Sequence, residues 1–277
     1  VKALLIDDNS VTIAEADVPL SVSNPHPFWS EQNPTDWWDA TCQSIDKLKS
    51  ENPVALAATR AIGLSGQMHG ATLLDANDAP LRPAILWNDG RAKRECDELD
   101  AALPDLGQTA GVATMPGMTA PKLIWLKKHE PDVFAKIKTV LLPKDFIRLC
   151  LTGEKVTEMS DAAGTLWLDE ESRCWNPAAV AASGLSMDQL PKLVEGSSVE
   201  HETRCDCRWR GWRCRNRGHR CRGRASWGWL YLPGHILTDF RRIGQIPPAP
   251  RRTAAQLCPC HPRPVVSDGG PSQWGKL

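Results

Sequence analysis

Residues 1–7 are rich in β-forming side chains with a weak alternation, and Asp7-Asp8-Asn9 is a turn signal. A second strand over residues 12–20 would close a hairpin with the first. The chain opens inside a strand without a Met, so residues preceding Val1 are expected. Pro34-Thr35-Asp36 marks a helix start, and Trp37, Trp38, Ile45 and Leu48 recur behind it at helical spacing. Residues 61–75 contain a β-like segment punctuated by Gly63, Gly66 and Gly70, and residues 81–87 read as another strand. A polar helix over residues 91–103 stops at Pro104. Helical pieces follow over 121–129, 131–138 and 141–151, the last ended by Thr152-Gly153. Strands and helices alternate, which predicts an α/β domain over residues 1–196.

Four segments carry candidate chemistry. Gly66-Gln67-Met68-His69-Gly70 follows an apolar strand. Its flanking glycines suit a backbone that approaches a ligand closely, and Gln67 and His69 offer directional hydrogen bonds to hydroxyl groups. A tight turn with a buried His accounts for the same residues. Trp87-Asn88-Asp89-Gly90-Arg91 sits at a strand end before a helix. Asn88 or Asp89 could cap that helix, or the aromatic and polar side chains together could receive a sugar at a strand C-terminus. The segment 117–129 reads as a helix start with an amphipathic body: Leu123, Trp125 and Leu126 bury while Lys127 and Lys128 face water. Ser160–Thr165 is small, polar and loop-like. No catalytic constellation is complete: there is no P-loop, no HExxH, no readable Ser/His/Asp set and no metal-ligand pattern in this part of the chain.

Composition changes this picture only past the α/β region. The 277 residues carry zero formal net charge, which points to no polyanionic partner. No apolar run is long enough for a transmembrane helix, and residues 1–10 lack a signal peptide's features, so a soluble, cytoplasmic protein with no membrane partner is expected. From Arg204 onward there are fourteen Arg but one Lys, no Glu, and acidic residues only at Asp206, Asp239 and Asp268. Six of the ten Cys and five of the twelve Trp fall there as well. A folded surface needs charge of both signs, so residues 197–277 are expected to be irregular or disordered and to form no native domain.

Taken together, the motifs of residues 1–197 resemble the N-terminal half of the FGGY carbohydrate kinases, in their xylulokinase branch. Gly117, Thr119, Lys122, Leu123 and Trp125 satisfy the family's first signature. Residues 25–32, Gln67-Met68-His69-Gly70, residues 85–91, Leu141-Leu142-Pro143-Lys144-Asp145 and residues 159–165 match the same branch in order. The resemblance implies an actin-like ATPase fold of two ribonuclease H-like domains, of which this chain holds an incomplete first one. It implies transfer of a phosphoryl group from ATP, with Mg²⁺, to the terminal hydroxyl of a ketose such as D-xylulose, giving D-xylulose 5-phosphate. Met68 and His69 would contact the sugar, beside Gln67, with Asn88 and Asp89 as further candidates nearby. The family's phosphate-binding turn would lie before Val1. Its Gly-Gly-Gly-Asp segment, bearing the catalytic Asp, would follow Ser197 by a few dozen residues and is absent in this reading frame, so the chain is expected to be inactive.

The composition past Arg204 has a specific explanation in a shifted reading frame. Back-translated and moved forward one base, Cys207–Trp212 permits Ala-Gly-Gly-Gly-Asp. Tyr231–Leu237 permits Ser-Leu-Gly-Thr-Ser, and Ala255–Ser267 permits His-Ser-Phe-Ala-His-Ala-Ile-Pro, all in the family's order. The competing reading is a non-enzymatic module, with Cys205, Cys207, Cys214, Cys221, Cys258, Cys260 and His261 as zinc ligands or Arg and Trp binding nucleic acid. No paired C-x₂-C spacing supports zinc, and a nucleic-acid partner is not expected. A kinase for another ketose or polyol is the third reading.

Overall fold

The computed structural model describes residues 1–196 and the backbone of residues 229–232. The expectations of an irregular tail, a changed reading frame and a zinc or nucleic-acid module otherwise fall outside the described residues.

Strand β1 (Lys2–Ile6) buries Ala3 and Leu5 on one face and pairs antiparallel with β2 (Thr12–Asp17) across the expected turn. After the short β3 (Glu31–Gln32), α1 (Pro34–Glu51) starts where predicted. The Asn33 side chain accepts from the Thr35 N–H, and Pro34 needs no donor there. Trp37, Ile45 and Leu48 face the sheet, joined by Thr41 and Ser44, whose buried hydroxyls donate back to helix carbonyls. The short α2 (Pro53–Ala57) leads to β4 (Ala61–Leu64) and, after a loop, β5 (Thr72–Leu74).

The strand expected over 81–87 shrinks to β6 (Ala84–Ile85). Its flanks are spent on irregular bonds, from the Leu81 N–H to the Leu73 carbonyl and from the Leu86 N–H to the Ser30 carbonyl. Helices α3 (Lys93–Ala102), α4 (Leu106–Thr109) and α5 (Thr119–His129) follow. The helix expected over 131–138 stops as α6 (Pro131–Phe134), because the chain turns into β7 (Thr139–Leu141), which pairs antiparallel with β5. That pairing claims Leu141, so α7 (Pro143–Thr152) begins two residues later than predicted. Gly153 ends it in the left-handed conformation, φ 79°.

The remaining described elements are β8 (Val156–Glu158), α8 (Met159–Ala163), the β9 (Leu168–Asp169) and β10 (Cys174–Trp175) hairpin, α9 (Pro177–Ala182), a 3₁₀ turn (Met187–Gln189) and β11 (Lys192–Val194), parallel to β8. The last strand, β12 (Trp229–Leu232), lies between β1 and β4, antiparallel to the first and parallel to the second, giving a sheet ordered β2-β1-β12-β4.

Two apolar clusters hold these layers. One joins the β1–β2 hairpin, α1 and α7 through Leu5, Trp37, Leu48 and Phe146. The other centres on α5, where Leu123 and Leu126 pack with Leu73, Leu99, Val140 and the fully buried Trp167. As expected, Lys127 and Lys128 lie on the exposed face of α5. The segment between β4 and β5 is adjacent to elements of both clusters.

Candidate active site

The β4–β5 connection makes its tightest bend at His69. The Gly70 N–H donates to the Met68 carbonyl at 2.8 Å, the two-residue bond of a γ-turn, and His69 at its centre has φ 63°. A non-glycine residue held there stores roughly 1–3 kcal/mol of strain, which persists only where neighbours enforce it. The glycines on either side are required for a local reason. A Cβ on Gly66 would stand 2.9 Å from Cβ of Lys144, and one on Gly70 would stand 2.6 Å from Cγ of Pro143. The close approach suggested by the sequence is thus to the first turn of α7.

Three neighbours fix His69. Its Nδ1 lies 2.8 Å from the Gly164 carbonyl oxygen. A carbonyl only accepts, so Nδ1 carries the proton and Nε2 of the neutral ring is left as an acceptor. The His69 carbonyl accepts from Lys122 Nζ at 2.8 Å and from Thr119 Oγ1 at 3.2 Å. Burial lowers the His69 pKa; the Gly164 contact opposes this and the Lys122 charge adds to it, so the neutral ring prevails at pH 7. Lys122 also donates to the Gly117 carbonyl at 2.6 Å. Its pKa is pushed down to about 7, chiefly by burial, with Asp89 opposing and Arg91 adding. Gly117 has no room for a side chain, since a Cβ would fall 2.1 Å from the Trp87 carbonyl oxygen.

Gln67 and Met68 are half-buried beside His69, and Gln67 Nε2 donates to Gln32 Oε1 at 2.9 Å. The same oxygen accepts from the Trp37 indole at 3.0 Å, which ties the turn to the start of α1.

Asp89 and Asn88 are placed differently. Ala92, with no side-chain cap, precedes α3, so neither residue caps that helix as the sequence suggested. Asp89 is buried, and its Oδ2 accepts from the Ser30 N–H at 2.7 Å and from Arg91 Nη2 at 2.8 Å. Its Oδ1 accepts from the Arg91 N–H and Nε, both at 2.9 Å. Arg91 reaches Glu31 at 2.7 Å as well, and its guanidinium lies 3.6 Å over the Trp29 ring and 5.0 Å from that of Trp125. Local pairing with Arg91 outcompetes capping for the Asp89 carboxylate. Asn88 borders a cavity of about 560 Å³ formed with the loop from Asn24 to Ser30, where Phe28 is exposed. Among the described residues, none of Gln67, Met68 and His69 lines that cavity.

Beneath the turn, Lys144 Nζ meets Asp145 and Asp161 at 2.8 Å each and Glu158 at 3.6 Å. Burial lifts the Asp161 pKa to about 6 against the pull of Lys144. Glu158, despite its own burial, is held below the ordinary carboxylate range by Lys144 and by Ser160. Glu158 also accepts from the Ser160 and Asp161 N–H groups at 2.8 and 3.0 Å, and so starts α8 where a loop was expected. That helix delivers Gly164 to His69. Glu is a poor helix cap by preference and five residues show no periodicity, so no sequence signal marked α8. Nothing local in the sequence ties Lys122, Thr119 or Gly164 to His69 either.

Among the described residues no group of three or more His, Cys, Asp or Glu is disposed to hold a metal ion. No described helix is long and apolar enough to cross a membrane.

A family model for the FGGY family of carbohydrate kinases, N-terminal domain, matches residues 1–208. The chain belongs to this family. The FGGY domain is 49% identical over 199 residues to the xylulose kinase of Escherichia coli (strain K12), a match spanning 72% of this chain and 41% of that protein. It is 48% identical over 204 residues to the xylulose kinase of Klebsiella pneumoniae, spanning 74% of this chain and 42% of that one. The chain thus spans about two fifths of the length of the curated relatives it matches. The crystal structure of a xyloylose kinase from Brucella ovis superposes with a TM-score of 0.70 at 52% identity, over 71% of this chain and 40% of that one. A gluconate kinase structure from Lactobacillus acidophilus gives 0.65 at 26% identity, over 70% of this chain and 39% of that one. The α/β FGGY domain therefore has the actin-like ATPase fold of its structural neighbours.

Proposed function

We propose that this domain is the sugar-binding part of a cytoplasmic kinase that phosphorylates D-xylulose to D-xylulose 5-phosphate. The observation that carries the reading is the strained turn at His69. Its ring is neutral and pinned through Nδ1, and Nε2 remains as an acceptor for a sugar hydroxyl. Met68 supplies an apolar contact beside it, and Gln67 a polar one. Asn88 offers its amide at the cavity formed with the loop of residues 24–30. Asp89 serves by holding Arg91 and the Ser30 backbone, since both of its oxygens already accept hydrogen bonds.

ATP with Mg²⁺ supplies the phosphoryl group in such a reaction. Among the described residues no group of three or more His, Cys, Asp or Glu gathers around one point, so no step is assigned to them through the metal. Their part is to bind and orient the ketose. Residues 1–196 form the kinase domain in this reading, and residues 197–277 an out-of-frame extension without the catalytic Asp. The chain then binds sugar without turning it over.

Calorimetric titration of the 277-residue chain with D-xylulose, other ketoses and polyols tests this. D-xylulose binding that His69→Ala abolishes is the expected result. If no sugar binds, the reading fails. Tighter binding of another ketose or a polyol would instead favour the reading as a kinase for that other substrate. Phosphorylation of D-xylulose by this chain in the presence of ATP would overturn the expected inactivity.

A further inference from the structure

We infer that Lys122 is a positioning residue for the turn at His69. Together with Thr119 it fixes the His69 carbonyl, and through that carbonyl the left-handed backbone that aims the His69 ring at Gly164. This deepens the sugar-binding reading and depends on it for its functional meaning.

Lys122 lies on α5 with 0% of its surface exposed. Its ammonium donates to two backbone carbonyls, those of His69 and Gly117, and it forms no ion pair among the described residues. Core packing alone does not account for such a residue. A Met of similar length would fill the site without the desolvation that a buried ammonium suffers. What Met cannot do is satisfy two carbonyls that face the helix from separate segments.

An unsatisfied buried carbonyl costs free energy of the same order as the strain stored in a non-glycine left-handed residue. Without its donors, the His69 peptide can relieve both at once by returning to ordinary backbone. That movement swings the ring off the Gly164 oxygen and releases its tautomer. Thr119 donates to the same carbonyl, and Gly117, where no side chain fits, brings the second acceptor within reach. Three positions of one short segment, 117, 119 and 122, thus converge on His69.

The test is long-range ¹H–¹⁵N NMR of the 277-residue chain labelled in histidine, with His69 assigned through His69→Gln. The wild type should show Nδ1 protonated and Nε2 bare. In Lys122→Met the two nitrogens of His69 should exchange or average their character while the other histidines stay in place. An unchanged His69 pattern in a Lys122→Met protein that keeps its near-UV circular dichroism would overturn the proposal. If that variant loses its tertiary signal, Thr119→Val probes the same carbonyl more gently. It should move the His69 pattern partway and Thr119→Ser should restore it; an unmoved pattern in Thr119→Val also overturns the role. Titration with D-xylulose separates the two levels. Lys122→Met should weaken binding about tenfold or more. A wild type that binds no sugar sinks the sugar reading, while the tautomer comparison still decides the role of Lys122.

Discussion

Nδ1 of His69 and the carbonyl oxygen of Gly164 lie 2.8 Å apart across a sequence separation of 95 residues. A Cβ placed on Gly164 would fall 2.1 Å from both Nδ1 and Cε1 of that ring. Gly164 itself has an ordinary φ of −71°, so alanine is tolerated by the backbone and excluded only by the imidazole. Gly164→Ala should therefore evict the His69 side chain at an overpacking cost of about 1–3 kcal/mol, leaving the fold in place. D-xylulose affinity should fall at least about tenfold, equivalent to about 1.4 kcal/mol, while the far-UV circular dichroism stays native. Calorimetry and dichroism on the same samples check both halves.

Gly153 provides the complementary case. A Cβ there meets nothing within 4 Å, and only the backbone, at φ 79°, resists a side chain. Gly153→Ala should cost about 1–2 kcal/mol, read from the urea midpoint, with no effect on sugar binding. Loss of binding in this variant would tie the end of α7 to the site in a way the contacts do not show.

Arg91 should be among the costliest side chains to remove. Arg91→Met leaves Asp89 and Glu31 without a cation that both use, and breaking a buried pair in this way costs about 3–5 kcal/mol. Adding Asp89→Asn should recover part of the loss, because the stranded charge goes with it. Urea unfolding of the two single variants and the double variant measures the coupling.

Acid behaviour should separate Asp161 from its neighbour Glu158. The Asp161 pKa rises from 3.8 to about 6, so the folded state holds its proton more tightly than the unfolded chain does. Its contribution is favourable at low pH and is lost as pH rises from about 4 through 6, by about 2–3 kcal/mol. Glu158 is shifted down and has the opposite sign: it stabilises above the ordinary carboxylate range and ceases to do so in acid. Asp161→Asn should therefore gain stability relative to the wild type between pH 4 and 7. Urea titrations at the two pH values read this directly, and a constant difference would refute it.

What could be read from the chain alone follows the range of the forces involved. The β1–β2 hairpin, the start of α1 at Pro34 and the Gly153 stop are written in local signals, and they appear where those signals place them. Boundaries moved where a distant partner intervened: β5 drew Leu141 into β7, and Ser30 drew on the flank of β6. The candidate site divides in the same way. Gln67-Met68-His69-Gly70 could be noticed because glycines and polar groups cluster after a strand. Lys122 could not, since a lysine in an amphipathic helix ordinarily faces water, and only tertiary contact shows this one to be interior. Capping, one of the two roles open to Asn88 or Asp89, is not the one Asp89 takes, because Arg91 two residues on competes for its oxygens.

The stacking of Arg91 against Trp29 and Trp125 has a consequence for descent. Its members come from three separated stretches of chain, and each is held by the others through charge or ring contact. A lineage cannot leave such an arrangement one residue at a time without passing through an intermediate that carries a stranded charge or an emptied ring site. The arrangement behaves as a ratchet. Single-step drift is costly at each of its positions, and escape takes several coordinated changes, so these distant stretches should travel together.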